Sequence, residues 1–174
     1  TLAPMIDFSN KLVPLIETPR AIDTVTQIAA FKDVVGLFFG AADSSASLGC
    51  KLAWEPLLYA RQKVVLAAAM YNLFTIDAPF FYIDDKEGLK NEAEAVKNLG
   101  FTGKAAIHPD QIDFINESFA PTSEEIAEGK KVLEEYQKSG GGAVKIDGQM
   151  VDEPIAEAMR LKISLGEEES ENKD

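Results

Sequence analysis

Glu17 and Asp43 are the residues whose type and spacing most directly suggest chemistry. Residues 12–17 read LVPLIE and residues 34–39 read VVGLFF, the latter followed by Gly40-Ala41-Ala42-Asp43. If both apolar runs are parallel strands, their C-terminal ends lie on one side of the sheet, and the two carboxylates meet in one pocket. Paired carboxylates without His or Cys nearby suit a hard divalent cation, magnesium or manganese, which prefers oxygen and keeps several waters for a substrate to displace. By residue type alone the same acids also fit a helix N-cap and a solvated loop residue.

Other polar residues stand at similar places. Asp77 closes a third apolar run and could orient a metal-bound water from behind the ligands, or cap the loop that follows. His108, the one histidine, sits in Ile107-His108-Pro109 where a strand yields to a helix. Its expected role is to satisfy backbone groups at the strand end, with a supporting place in a substrate pocket as the lesser possibility. Asp152 precedes Pro154 and fits an N-cap. Arg61, inside Ala60-Arg61-Gln62-Lys63, reads as a packing or salt-bridging residue, and Trp54 and Tyr59 as core or interface residues.

The elements that position these groups follow a repeating order. After the run 12–17, Thr18-Pro19 supplies an N-cap and a proline at the first helical position, predicting a helix over 19–30. The strand 34–39 comes next, then a helix over 56–71 with a strand at 74–77, and a helix over 86–99 with a strand at 103–107. Pro109 opens a helix through 119. Strand ends at Glu17, Gly40, Asp77 and Ile107 are separated by 23, 37 and 30 residues, the size of strand-plus-helix units with parallel strands. Thr122 and Glu125 form a capping box for a helix to 139, and Gly140-Gly141-Gly142 breaks it. Residues 144–146 and Val151 then flank the Asp147-Gly148 turn, and 154–165 is a final amphipathic helix. Four parallel units are half of an eight-stranded barrel, and they also fit an open doubly wound sheet. No glycine-rich phosphate loop follows any strand. Gly40-Ala41-Ala42-Asp43 has the wrong spacing for one and ends in a carboxylate that repels phosphate.

Composition narrows the function classes. The 174 residues are 46% hydrophobic, enough for a sizeable core. A formal net charge of −12 argues against nucleic acid, whose phosphates require clustered Lys and Arg. Cys50 alone allows no internal disulfide and fits a reducing cytoplasm. No run of about 18 apolar residues is present to span a bilayer. Residues 1–10 read as the tail of a preceding segment, and residues 166–174, GEEESENKD, as an acidic, disordered tail.

Five blocks over residues 15–154, LIETPRAI, GLFFGAADSSASLG, LLYARQKVVLAA, GFTGKAAIHPDQI and DGQMVDEP, resemble in order and spacing the HpcH/HpaI aldolase and citrate lyase beta subunit family, with its citramalyl-CoA and malyl-CoA lyase relatives. The resemblance implies an α/β fold, a (β/α)8 TIM barrel of which this chain supplies about the last four strand–helix units plus C-terminal helices. Residues 1–139 would be the barrel half and 140–165 an extension reaching a neighbouring subunit. It implies Mg2+ held by Glu17 and Asp43. It also implies that Asp152, reached across a subunit interface, is the catalytic acid acting on the acyl-thioester carbon.

The implied reaction cleaves a 3-hydroxy-acyl thioester of the citryl, citramalyl or malyl type into an α-keto acid and an acetyl thioester. An acyl-CoA or acyl-carrier-protein thioester would be the substrate, and the assembly a homo-oligomer, trimer or hexamer. Nothing here corresponds to the family's first four strands, which carry the arginine that pairs with the keto-acid oxygens, so the chain alone is expected to be inactive. Two alternatives stay open: a non-catalytic binding or assembly subunit, and a class II aldolase acting on free hydroxy-keto acids.

Overall fold

The computed structural model describes residues 11–140 and 142–171. Residues 1–10, residue 141 of the glycine run and residues 172–174 of the acidic end lie outside them. The chain divides into two compact units after Phe119.

In the first unit, β1 (Leu15–Ile16), β2 (Gly36–Phe39), β3 (Phe74–Asp77) and β4 (Gly103–Lys104) pair in parallel in the order β1-β2-β3-β4. A doubly wound sheet reverses its order at a switch point. This one runs with the chain, as a barrel wall does, and both end strands are open among the described residues. The predicted helix over 19–30 is instead two short helices, α1 (Pro19–Asp23) and α2 (Val25–Ala29). They separate at Thr24, whose hydroxyl donates to the Arg20 carbonyl at 2.8 Å and draws the backbone out of helical geometry. α3 (Ala41–Leu48) was not foreseen, because Ala41–Leu48 is small and polar and lacks an apolar stripe. It stops at Gly49, whose φ of 67° is left-handed and favours glycine. α4 (Trp54–Met70), α5 (Lys86–Leu99) and α6 (Ile112–Phe119) complete the unit.

Strand register sorts the side chains. Leu15, Phe38, Ile76 and Gly103 are partners across the sheet and share one face; Ile16 with Phe39, and Asp77 with Lys104, follow them onto the other. That second face is buried. Ile16, Leu37 and Phe39 pack there with Leu57, Val64 and Ala67 of α4. On the first face Val13, Leu15 and Phe74 remain 40%, 45% and 39% exposed. The sheet therefore has a helix-covered side and a side open to whatever its ends carry.

The second unit contains α7 (Ser123–Lys138), a hairpin of β5 (Val144–Ile146) and β6 (Gln149–Val151), and α8 (Glu153–Glu171). The capping box holds: Glu125 N–H donates to Thr122 Oγ1 at 3.1 Å, and Thr122 N–H to Glu125 Oε2 at 2.9 Å. Asp147 and Gly148 both have positive φ, 48° and 91°, as a two-residue turn of matching twist requires. Val132, Tyr136, Ile146, Val151 and Ala156 form the core. α8 runs past Leu165, where the sequence reading ended it, because the glutamates that follow are good helix formers. No helix among the described residues is long and apolar enough to cross a membrane.

A buried ionic network locks the helix-covered face of the first unit. Asp77, fully buried, accepts from Arg61 Nε at 2.8 Å and Nη2 at 3.4 Å, and from Lys104 Nζ at 2.9 Å. Lys104 also reaches Glu92 at 2.6 Å and the Ala78 carbonyl at 2.7 Å. The Arg61 guanidinium lies between the rings of Phe39 and Trp54, 5.2 and 4.9 Å from their centroids. Two cations thus face two carboxylates with little solvent among them, and removing one partner strands the rest. Asp77→Ala should cost about 3–5 kcal/mol of unfolding free energy in urea titration; a loss under about 1 kcal/mol, the size of an exposed pair, would contradict this role.

Candidate metal centre

Glu17 and Asp43 are brought together by the pairing of β1 with β2. Phe38 N–H donates to the Pro14 carbonyl and Gly40 N–H to the Ile16 carbonyl, each at 3.0 Å, so the two strand ends finish level. Ile16 points into the helix layer. Glu17, one residue on, therefore points to the other face, with Leu15. Its side chain lies across Gly40: a Cβ on that glycine would stand 2.6 Å from Glu17 Cβ and 3.0 Å from Oε2. The chain then turns directly into α3, where Ser44 N–H donates to the Gly40 carbonyl at 3.2 Å. Asp43 falls in the first turn of that helix rather than in a loop. The positive end of the helix dipole favours a carboxylate there.

The two acids act on each other. Burial, then the Asp43 charge, then a hydrogen bond with Asp43 push the Glu17 carboxyl above the usual carboxylate range. Glu17 is half-buried and Asp43 exposed, so the pair opens toward solvent. Such a pair is relieved by one proton or by one cation. Among the described residues no group of three or more His, Cys, Asp and Glu side chains converges. Two protein oxygens with room for water and substrate oxygens is a donor set that fits magnesium, which rarely uses an all-protein cage.

The remaining residues fall elsewhere. Asp77 is on the helix-covered face, its carboxylate engaged by Arg61 and Lys104, and is not brought to the Glu17–Asp43 pair. His108 caps the 3-10 turn Pro109–Gln111, its Nδ1 accepting from Asp110 N–H at 3.2 Å. Neither its ring nor the neighbouring Gln111, which bonds Ile107 N–H and the Phe80 carbonyl, joins the pair. Asp152 lies in the second unit, where Oδ1 accepts from Ile155 N–H at 3.5 Å and its carbonyl from Ala156 N–H at 2.9 Å at the start of α8. Arg61 is the salt-bridging residue expected, and Trp54 stacks on it, while Tyr59 is 67% exposed. Two residues escaped sequence reasoning. Lys104 carries a charge at an otherwise apolar strand, a sign of a buried partner, and Gly40 stands between a strand end and an acid.

Beside Arg61 a cleft of about 40 Å³ is lined by Ala41, Leu57, Phe80 and Tyr82 among others, and Arg61 Nη1 has no hydrogen-bond partner. That volume has room for only a few waters and is far below the size of a substrate pocket. Neither Glu17 nor Asp43 lines it.

Comparison with known proteins supplies the family. The family model for HpcH/HpaI aldolase/citrate lyase matches residues 8–109, which contain both acids. Citrate lyase subunit beta of Haemophilus influenzae is 34% identical over 159 residues, covering 88% of this chain and 55% of that protein. The mitochondrial citramalyl-CoA lyase of Rattus norvegicus is 32% identical over 170 residues, covering 88% and 50%. The crystal structure of CitE from Mycobacterium tuberculosis in complex with magnesium, acetoacetate and coenzyme A superposes with a TM-score of 0.82 at 30% identity, covering 90% of this chain and 61% of that one. The chain spans about half the length of the curated relatives it matches. On the family match, the sequence identities and the shared fold, it belongs to the HpcH/HpaI aldolase/citrate lyase family.

Proposed function

We propose that this chain is part of a magnesium-dependent carbon–carbon lyase that cleaves a 3-hydroxy-acyl thioester into an α-keto acid and an acetyl thioester. The observation that carries the reading is that the paired ends of β1 and β2 lay Glu17 across Gly40, three residues before Asp43, so that the two carboxylates act on each other. The names of the relatives, citrate lyase beta and citramalyl-CoA lyase, support the reaction class. The magnesium and coenzyme A bound to the structural neighbour support the ion and the thioester. In this reading the four-stranded sheet is one half of a (β/α)8 barrel wall, and its open face, with Val13, Leu15 and Phe74, looks into the barrel.

In the reaction the bond between the hydroxyl-bearing carbon and the thioester α-carbon breaks. The hydroxyl proton leaves as the keto group forms, and the electron pair passes to the α-carbon, which takes up a proton. Magnesium, when bound, supplies positive charge for the oxygens of the keto-acid portion. Glu17 and Asp43 would hold it and fix its position at the strand ends, leaving its outward positions to substrate and water. Asp152, contributed by a neighbouring copy in a homo-oligomer, would deliver the proton to the α-carbon and remove it in the reverse condensation.

Three outcomes follow. Glu17→Gln and Asp43→Asn should each abolish magnesium binding in isothermal titration while leaving the circular dichroism spectrum intact, since Glu17 is only half-buried, Asp43 is exposed and neither belongs to the apolar core. Unchanged affinity in either variant refutes the ligand assignment. Because the folded-state carboxyl of Glu17 titrates above its unfolded value, its protonated form is the one that folding favours: that contribution is present at low pH and lost as pH rises through the raised value. Above that value and without metal both carboxylates are charged and repel, and a divalent cation relieves the repulsion. Metal affinity should fall as pH is lowered into the Glu17 range, because the proton competes for the same oxygen; affinity independent of pH there would argue against Glu17 as a ligand. The 174-residue chain alone should show no keto-acid release from citramalyl, malyl or citryl thioesters in a coupled assay, and turnover near that of an intact relative would overturn the requirement for a complementary half.

A further inference from the structure

Gly40 occupies a position whose backbone asks for nothing special. Its φ of −100° and ψ of 95° lie in the extended region open to any residue, and it is the N-cap of α3, where glycine stands only roughly a few tenths of a kcal/mol below Ser, Thr, Asp or Asn. No side-chain cap is present at this helix start. What singles the position out is space. A Cβ there would stand 2.6 Å from Glu17 Cβ, 3.0 Å from Glu17 Oε2 and 3.3 Å from Leu15 Cδ1. The leucine tip and the carboxylate oxygen can swing aside. Glu17 Cβ cannot, because it is fixed to the end of β1, which the Gly40 N–H bond to the Ile16 carbonyl ties down at 3.0 Å. Relief therefore requires the two strand ends to separate or the start of α3 to tilt, and either movement takes the Glu17 carboxylate away from Asp43.

We infer that Gly40 is a positioning residue: the missing side chain allows the Glu17 carboxylate to lie across the turn into α3 and share an ion with Asp43. This rests on the metal reading of the pair. The contrast within the same sheet is Gly103 of β4, where an added Cβ meets nothing within 4 Å.

The test uses the full chain with Mn2+ as the probe, followed by electron paramagnetic resonance, and thermal unfolding in parallel. Gly40→Ala should weaken Mn2+ binding by about 10- to 100-fold, the range seen when the support of a metal ligand is disturbed. Gly103→Ala should leave it unchanged, and Glu17→Gln should abolish it. Gly40→Ala binding as tightly as wild type while Glu17→Gln does not bind overturns the inference and leaves the metal reading intact. Glu17→Gln binding like wild type overturns the metal reading, and this inference with it. The unfolding arm separates positioning from general damage. Gly40→Ala should lower the melting temperature in wild type and lower it much less in a Glu17→Gly background, where the obstructing Cβ is gone. Should Gly40→Ala fail to fold alone, the double variant should recover folding. An equal penalty in both backgrounds, or no recovery, shows that Glu17 is not what the added methyl meets and overturns the proposal.

Discussion

The first unit depends on holding two like charges side by side at the end of a parallel strand pair. Burial first, and then the neighbouring Asp43 charge, push the Glu17 carboxyl above the usual carboxylate range, so the two acids repel when both are ionised. Nothing in the two side chains themselves favours their approach. It is imposed by the β1–β2 ladder, by a glycine where a side chain would intrude, and by an abrupt entry into α3 whose dipole partly offsets one charge. A folded chain that maintains such a repulsion at an exposed edge is poised for a cation to remove it.

The opposite face of the same sheet solves its electrostatics internally. Arg61 and Lys104 meet Asp77 and Glu92 within hydrogen-bonding distance, and Phe39 and Trp54 enclose the guanidinium. Charge there is matched, buried and fixed, which makes the strand ends a rigid support. The sheet thereby has a neutralised side that keeps β2, β3 and β4 in place, and a side where two carboxylates stand next to each other. In the proposed metal reading rigid strand ends matter on that second side, because two ligands alone define an ion's position only if neither can drift.

The strand rhythm was legible from sequence because each apolar run is closed by an acid, a glycine or a proline turn, and the parallel arrangement follows from the spacing. The order β1-β2-β3-β4 runs with the chain and has no reversal within these four strands, as a stretch of barrel wall would. What was not legible is which face a strand-end residue takes. Parallel strands are apolar on both sides, so the pattern around Asp77 carries no parity signal. Only the pairing of Asp77 with Lys104, and of Ile16 with Phe39, shows that Asp77 turns toward the helices and Glu17 away from them. α3 was hidden for a related reason: Ala, Ser and Asp over eight residues have no apolar period, and its helix is set by the turn at Gly40 and the left-handed Gly49. The split at Thr24 comes from a hydroxyl-to-carbonyl bond that sequence patterns do not display. The acid pair was legible as two strand-end carboxylates, and its candidacy over capping came from the family resemblance; the place of Asp152 at the start of α8 was legible from Pro154, while the catalytic role proposed for it came from the resemblance alone.

The most direct test of the account is diffraction from crystals of the chain soaked in Mn2+ and measured near the manganese absorption edge. An anomalous peak is expected within coordination distance of one carboxylate oxygen of Glu17 and one of Asp43, its remaining positions filled by water. A peak ligated by other residues, or density showing the two carboxylates engaged with protein donors and no ion between them, would contradict it.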